Sequence, residues 1–251
     1  MLFRSKMDRP QPHPTGALRL FEFSPDSRYL AWVCLTPPKC CISQPFAAEE
    51  SPLVTLRHDS VSHPDRQHQI ASFSFDSDSR RIATAHRAEN HLNLPQEDVV
   101  RIWDVVTGAP LLVIGAAAPC PHAVCDVSFA PDGRSVLSAF TDGSVKIWDT
   151  ESGEQEYSFM ALDAEPGGAQ QIVKAFFSPD GRYIATASVG IVRYPGPDSV
   201  RLWRTSDASC AAEFTEHRSR ILRDVAFSPN GKLLTSADID GMVHIRRLST
   251  L

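Results

Sequence analysis

Ser138, His122 and Asp142 are the three residue types of an acyl-transfer triad: a nucleophile, a base and a carboxylate to orient the base. Their setting argues against that chemistry. Ser138 falls inside the strand-like run Ser135-Val136-Leu137-Ser138-Ala139, without the Gly-x-Ser-x-Gly elbow that would expose its hydroxyl. His58, His63, His68, His86 and His91 crowd one stretch, and neutral imidazoles can hold zinc. The even spacing of the first three puts them on neither one helical face nor one strand face. Six cysteines, Cys34, Cys40, Cys41, Cys120, Cys125 and Cys210, include no Cys-x-x-Cys pair. The adjacent Cys40 and Cys41 suit neither a simple disulfide nor a tetrahedral site. The reading is therefore no catalytic residue and no metal site.

The elements around these residues repeat. Val145-Lys146-Ile147-Trp148-Asp149 recurs as Val100-Arg101-Ile102-Trp103-Asp104 and Val200-Arg201-Leu202-Trp203-Arg204, and fades into Val243-His244-Ile245-Arg246-Arg247. Alternation of apolar and charged residues is the period of a half-buried strand. A second signal precedes each copy: a Phe, a polar turn and a short apolar run. Phe177-Ser178-Pro179-Asp180-Gly181-Arg182 is its full form, and Phe23, Phe75, Phe129 and Phe227 open the others. Pro followed by Asp-Gly or Asn-Gly is turn chemistry, since Pro presets φ and Gly accepts positive φ. The five phenylalanines fall at intervals of about 50 residues, a period that marks a repeat architecture.

Strand, Ser-Pro-Asp-Gly turn, strand, then Val-Arg-Ile-Trp-Asp resembles the WD-repeat family of β-propellers. The resemblance covers residues 18 to 251 in five units: 18–57, 69–116, 122–162, 172–216 and 221–251. It implies an all-β fold of four-stranded antiparallel blades around an axis. The first unit is degenerate, with no Trp-Asp after its Phe-Ser-Pro-Asp; spacing makes Cys41–Phe46 its third strand, with Phe46 in the Trp slot. The family also implies a buried chain of His, Ser or Thr, Asp and Trp within a blade. His122, Ser138, Asp142 and Trp148 supply it in the third unit. His217, Ser236 and Asp240 offer it in the fifth, where Arg246 replaces Trp. Trp103 and Trp203, with Thr84 and Thr186, serve the second and fourth, where Asp98 and Asp198 are the less certain carboxylates. His63 or His68 is the expected histidine of the second unit.

The fifth unit ends after its third strand. Either Met1–Met7 completes it as an outer strand and closes a five-blade ring, with residues 1–17 as segment and Pro-rich connector, or the units form an open arc of a larger propeller.

Composition limits the function. Apolar residues make up 42% and charged residues 22%, as expected of a globular chain rather than a disordered one. A net charge of −5 gives no electrostatic case for nucleic acid. The N-terminus lacks the apolar run of a signal peptide and no segment reaches the roughly 20 apolar residues of a membrane span, so the expected compartment is cytoplasm or nucleus. The span from Phe to Trp is shortest in the third unit and longer in the second and fourth, and the extra length lies between strands b and c. Variable loops on a rigid frame are where binding residues concentrate. Arg87, His91, Arg193 and Tyr194 lie on these insertions, and Arg218 and Arg220 on the connection before the fifth unit. Arg and Tyr are favoured interface anchors. The resemblance implies a non-catalytic scaffold, without a cofactor, for a protein or peptide partner. The narrower alternative, a substrate adaptor of a ubiquitin ligase, loses support because Val105-Val106 and Thr150-Glu151 follow the Trp-Asp pairs where that role often shows Trp-Asp-x-Arg. A propeller hydrolase would need a nucleophile or metal that the sequence does not offer.

Overall fold

The computed structural model describes residues 18–35, 38–45, 54–56, 68–88, 100–115, 122–162, 170–190, 198–216 and 222–248. These residues are all strand, turn and connection, with no helix among them. The first blade is β1 (Leu18–Phe23), β2 (Leu30–Leu35), β3 (Pro38–Ser43) and β4 (Val54–Leu56). The second is β5 (His68–Phe75), β6 (Arg81–Ala88), β7 (Val100–Asp104) and β8 (Pro110–Ile114). The third is β9 (Val124–Phe129), β10 (Ser135–Phe140), β11 (Ser144–Asp149) and β12 (Gln155–Met160). The fourth is β13 (Gln170–Phe177), β14 (Tyr183–Gly190), β15 (Ser199–Arg204) and β16 (Cys210–Phe214). The fifth is β17 (Leu222–Phe227), β18 (Leu233–Asp238) and β19 (Val243–Arg247). Each blade is an antiparallel meander in chain order.

The turn chemistry follows from the repeated Phe motif. In the fourth blade Ser178 Oγ donates to Asp180 Oδ1 at 2.6 Å and accepts from Tyr183 N at 2.9 Å, so one hydroxyl closes the a-to-b hairpin. The Asp of Trp-Asp builds the opposite strand end. Asp149 Oδ1 accepts from Ser152 N at 2.7 Å and from Ser152 Oγ at 2.8 Å, and Asp104 does the same with Thr107. These bonds hold both carboxyls below the usual carboxylate range. At the tight b-to-c turn of the third blade Gly143 has φ +93°, and a Cβ there would come within 2.6 Å of Leu162.

The core lies between blades, in four clusters at four junctions. Val145 and Ile147 of β11 pack forward with Ile172, Ala175 and Ile184 of the fourth blade. Trp148, the next residue, packs backward with Val100 and Ile102 of the second. Successive side chains of a strand point to opposite faces, so Ile147-Trp148 is divided between two junctions. The first and second blades join through Val33, Cys40 and Ile42 against Ile70, Phe73 and Phe75, and the fourth and fifth through Val200 and Leu202 against Leu222 and Val225. Among the described residues no fifth cluster joins the first and fifth blades. Residues 1–17, and with them the expected pairing of Met1–Met7 against Val243–Leu248, lie outside the described residues.

One strand differs from expectation. The third strand of the first blade is Pro38–Ser43, not Cys41–Phe46, and Phe46 lies outside the described residues. Ser43 pairs with Leu30 as Trp103 pairs with Ile82, so Ser43 holds the Trp slot. The cause is a short b-to-c connection; Pro38 is tolerated because it opens the strand.

Ile147 reports on this junction packing. Ile147→Ala should cost about 2–5 kcal/mol in urea denaturation. A midpoint equal to the parent's would show that the junction between third and fourth blades does not carry stability.

Candidate functional site

A buried indole N–H must find an acceptor. Strand b provides one for each Trp of strand c. Trp103 Nε1 donates to Thr84 Oγ1 at 2.8 Å, Trp148 Nε1 to Ser138 Oγ at 2.8 Å, and Trp203 Nε1 to Thr186 Oγ1 at 2.9 Å. The fifth blade keeps the bond with a different donor: Arg246 Nη1 reaches Ser236 Oγ at 2.8 Å. Its charge is met by Glu216 Oε2 at 2.8 Å, which also lies 3.3 Å from His244 Nδ1, and the guanidinium stacks 4.6 Å from the Phe214 ring. Glu216 is absent from the sequence-derived set; an Arg in a buried slot was the signal that called for an acid. The first blade inverts the pair. Trp32 stands where Thr84 stands in the second, Ser43 stands in the Trp slot, and Trp32 Nε1 has no partner among the described residues.

The histidines and carboxylates distribute differently from the four-member chain expected. His122 Nε2 approaches Asp142 Oδ2 at 3.6 Å, with the imidazole 47% exposed, while Asp142 Oδ1 holds Ser144 through its N–H and hydroxyl. Ser138 is fully buried and its Oγ accepts the indole, so the triad residues do not converge on an open site. In the second blade His86, buried on β6, meets Thr84 Oγ1 at 3.3 Å. His63 lies outside the described residues, and His68 falls on β5. In the fifth blade Asp238, not Asp240, organises the b-to-c turn, accepting Asp240 N and Met242 N at 3.0 Å each. Asp240 is exposed at the tip, and His217 lies outside the described residues. Asp98 does too, whereas Asp198 is buried and ties two blades, taking Gly190 N at 3.2 Å and Leu222 N of the fifth blade at 2.7 Å.

A second set of ties runs along the innermost strands. Ser72 Oγ donates to Asp126 Oδ1 at 2.5 Å, and Asp126 Oδ2 accepts Ala175 N of the fourth blade at 2.8 Å. Lys174 Nζ pairs with Asp224 and donates to Val225 O of the fifth at 3.0 Å. Burial raises the Asp126 carboxyl, and its bonds from Ser72, Ala175 and Val127 oppose that rise. Glu22 on β1 is exposed by area, yet protein crowds its carboxyl and raises its pKa to about 7, with Lys174 opposing and Asp126 adding to the shift. Burial likewise pushes the Cys40 and Cys125 thiols up, which keeps them unreactive.

Of the predicted partner residues, Arg87 falls on β6, its backbone opposite Gln69. His91, Arg193, Tyr194, Arg218 and Arg220 lie outside the described residues. On the a-to-b turn side, a cleft of about 510 Å³ separates the third and fourth blades, lined by Ala130, Asp132, Glu156, Tyr157, Phe177 and Asp180. Ala130 holds the position of the turn serine Ser178, so Asp132 has no hydroxyl tie like that of Asp180. Among the described residues no group of three His, Cys, Asp or Glu side chains could hold a metal, and no helix is long and apolar enough to cross a membrane.

The profile of the family described as WD domain, G-beta repeat matches residues 118–149 and 208–246. The chain is 29% identical over 115 residues to Protein LST8 homolog of Drosophila melanogaster, covering 45% of this chain and 34% of that protein. It is 26% identical over 174 residues to Nuclear distribution protein nudF of Emericella nidulans, covering 64% and 37%. Against Transducin beta-like protein 3 of Mus musculus it is 28% identical over 181 residues, covering 69% and 19%. The chain thus spans well under half the length of each of these relatives. The crystal structure of the Myceliophteria thermophila Cps50 (Swd1) beta-propeller domain superposes with a TM-score of 0.68 at 13% identity, covering 94% of this chain and 67% of that one.

Two measurements check the geometry. Trp148→Phe keeps the ring but strands the buried Ser138 hydroxyl, and should cost about 1–3 kcal/mol; Trp148→Ala should cost about 3–5 kcal/mol. Equal stability of the Phe variant and the parent would mean the indole bond contributes nothing. Glu22 binds its proton more tightly when folded, so its contribution is present below the unfolded value of 4.5 and is lost as pH rises through about 7. Glu22→Gln should therefore melt higher than the parent at pH 8, with the gap narrowing toward pH 5. A gap independent of pH would show that the carboxyl is not crowded.

Proposed function

Because the chain is a WD-repeat protein built of propeller blades, we propose that it is a non-catalytic scaffold that binds a protein or peptide through the loop face carrying the b-to-c insertions. The observation that supports this most directly is how the reactive side chains are used. Ser138, Thr84 and Thr186 are buried and accept Trp N–H groups, and Asp126 and Asp198 are buried and hold backbone N–H groups of neighbouring blades. Groups committed in this way rigidify a frame and are not themselves free to act as nucleophiles.

On such a frame, recognition falls to the connections. Strands β6 and β14 end on the side opposite the Phe-Ser-Pro-Asp turns, the side on which β16 ends and β17 begins; in the sequence the insertions follow β6 and β14, and Arg218 and Arg220 precede β17. Arg and Tyr side chains bring large contact area and several donors to an interface, which suits a peptide or domain partner.

Paired substitutions test the face. Arg193→Ala with Tyr194→Ala, and separately Arg87→Ala with His91→Ala, should weaken binding of a captured partner about tenfold or more while leaving the melting temperature unchanged. Cross-links from the partner only to the opposite turns, at Asp132 and Asp180, would place binding on the other face and overturn the assignment.

A further inference from the structure

The cleft between the third and fourth blades has a filled counterpart one junction earlier. On the same turn side, Arg81 of the second blade lies across the third. Its Nη2 donates to Gly133 O at 2.6 Å and its Nη1 to Thr150 Oγ1 at 3.2 Å, and the guanidinium sits 5.3 Å from the centre of the Phe129 ring. Asp76 of its own turn balances the charge, accepting Arg81 Nε at 2.8 Å. Arg81 stands opposite Asp104, and in the same register the third blade sets Ser135 opposite Asp149. The other blades carry Tyr29, Tyr183 and Leu233 at this position, so only the third has a small side chain there. The place of Asp76 is taken in that blade by Ala130.

The receiving half of the fourth blade is intact. Gly181 and Thr205 hold the positions of Gly133 and Thr150. Thr205 Oγ1 donates to Gly181 O at 2.9 Å, as Thr150 Oγ1 donates to Gly133 O at 2.9 Å. A carbonyl oxygen has a second lone pair, which Arg81 uses on Gly133. A Cβ on Gly133 would come within 2.9 Å of Arg81 Nη2, whereas on Gly181 the nearest neighbour would be Pro131 Cδ at 3.7 Å. Phe177, the counterpart of Phe129, lines the same cleft of about 510 Å³.

The charge in the cleft has one sign. Asp132, Glu156 and Asp180 line it, and no Lys or Arg does so among the described residues. Glu156 Oε2 accepts Ser135 Oγ at 3.1 Å, which sets a carboxylate beside the position that Arg81 occupies one blade earlier. Two acceptors, an aromatic ring and a carboxylate suit a planar, forked cation better than the point charge of an ammonium. We infer that this cleft is a binding site for the arginine side chain of a peptide segment. Its guanidinium donates to Gly181 O and Thr205 Oγ1, stacks on Phe177 and pairs with Glu156. The site lies on the side opposite the b-to-c insertions and does not rest on the reading of that face.

Calorimetric titration of the full chain with two acetylated, amidated peptides, Gly-Arg-Gly and Gly-Lys-Gly, tests the site. The arginine peptide should bind about tenfold or more tightly than the lysine peptide, and more weakly as salt is added. Ala130→Asp/Ser135→Arg rebuilds the Asp76–Arg81 arrangement inside the third blade. That variant should melt at or above the parent's temperature and lose the arginine peptide. Glu156→Gln keeps the shape of the cleft and removes one charge, and should weaken the arginine peptide severalfold at unchanged melting temperature. If the parent binds both peptides alike, the cleft does not read a guanidinium and the proposal fails. If it binds neither, the cleft is a gap between small side chains or is filled by the chain itself, and the proposal fails equally. A rebuilt variant that melts well below the parent, or that binds the arginine peptide as the parent does, would also overturn it.

Discussion

A β-sheet has two faces, and a blade of four strands buries neither alone. Everything else in this chain depends on that constraint. Strand c resolves it by alternation, sending Val145 and Ile147 toward one neighbour and Trp148 toward the other. The sheet is therefore not a layer over a common core but a partition between two small cores. Hydrophobic burial, the largest favourable contribution to folding, is realised only between successive units.

The polar groups follow the same logic. Once Trp148 is buried against the second blade, its N–H needs a hydroxyl, and Ser138 on the adjacent strand is within reach. The fifth blade satisfies that hydroxyl with a guanidinium, and then requires Glu216 to neutralise it and Phe214 to cover it. A substitution in the slot is thus tolerated when its charge and its stacking surface are both met. The first blade follows another route, with the large residue moved to strand b as Trp32 and the small one to strand c as Ser43.

What could be read in the sequence was what is local. The Phe turn motifs and the Val-x-Ile-Trp runs place strands a, b and c of the later blades, because turn chemistry and period-2 alternation act within a few residues. The first blade was misplaced by its missing Trp: without that marker, spacing favoured Phe46 over Ser43. His86 on strand b of the second blade, two residues from Thr84, meets the hydroxyl that takes the Trp103 N–H, a contact that no spacing in the sequence marks. Asp126 and Asp224 gave no signal, since their partners belong to another blade. Such ties depend on which unit lies alongside in space, and a periodic motif is silent about that.

Because each junction cluster joins only consecutive units, order is passed along the chain by nearest neighbours. Among the described residues the third blade is clasped on both sides, while the first and fifth are each held on one. Slow amide exchange then belongs to β9–β11, and opening begins at the termini and propagates inward. At each of these junctions a newly made chain can secure a blade as soon as the following one emerges.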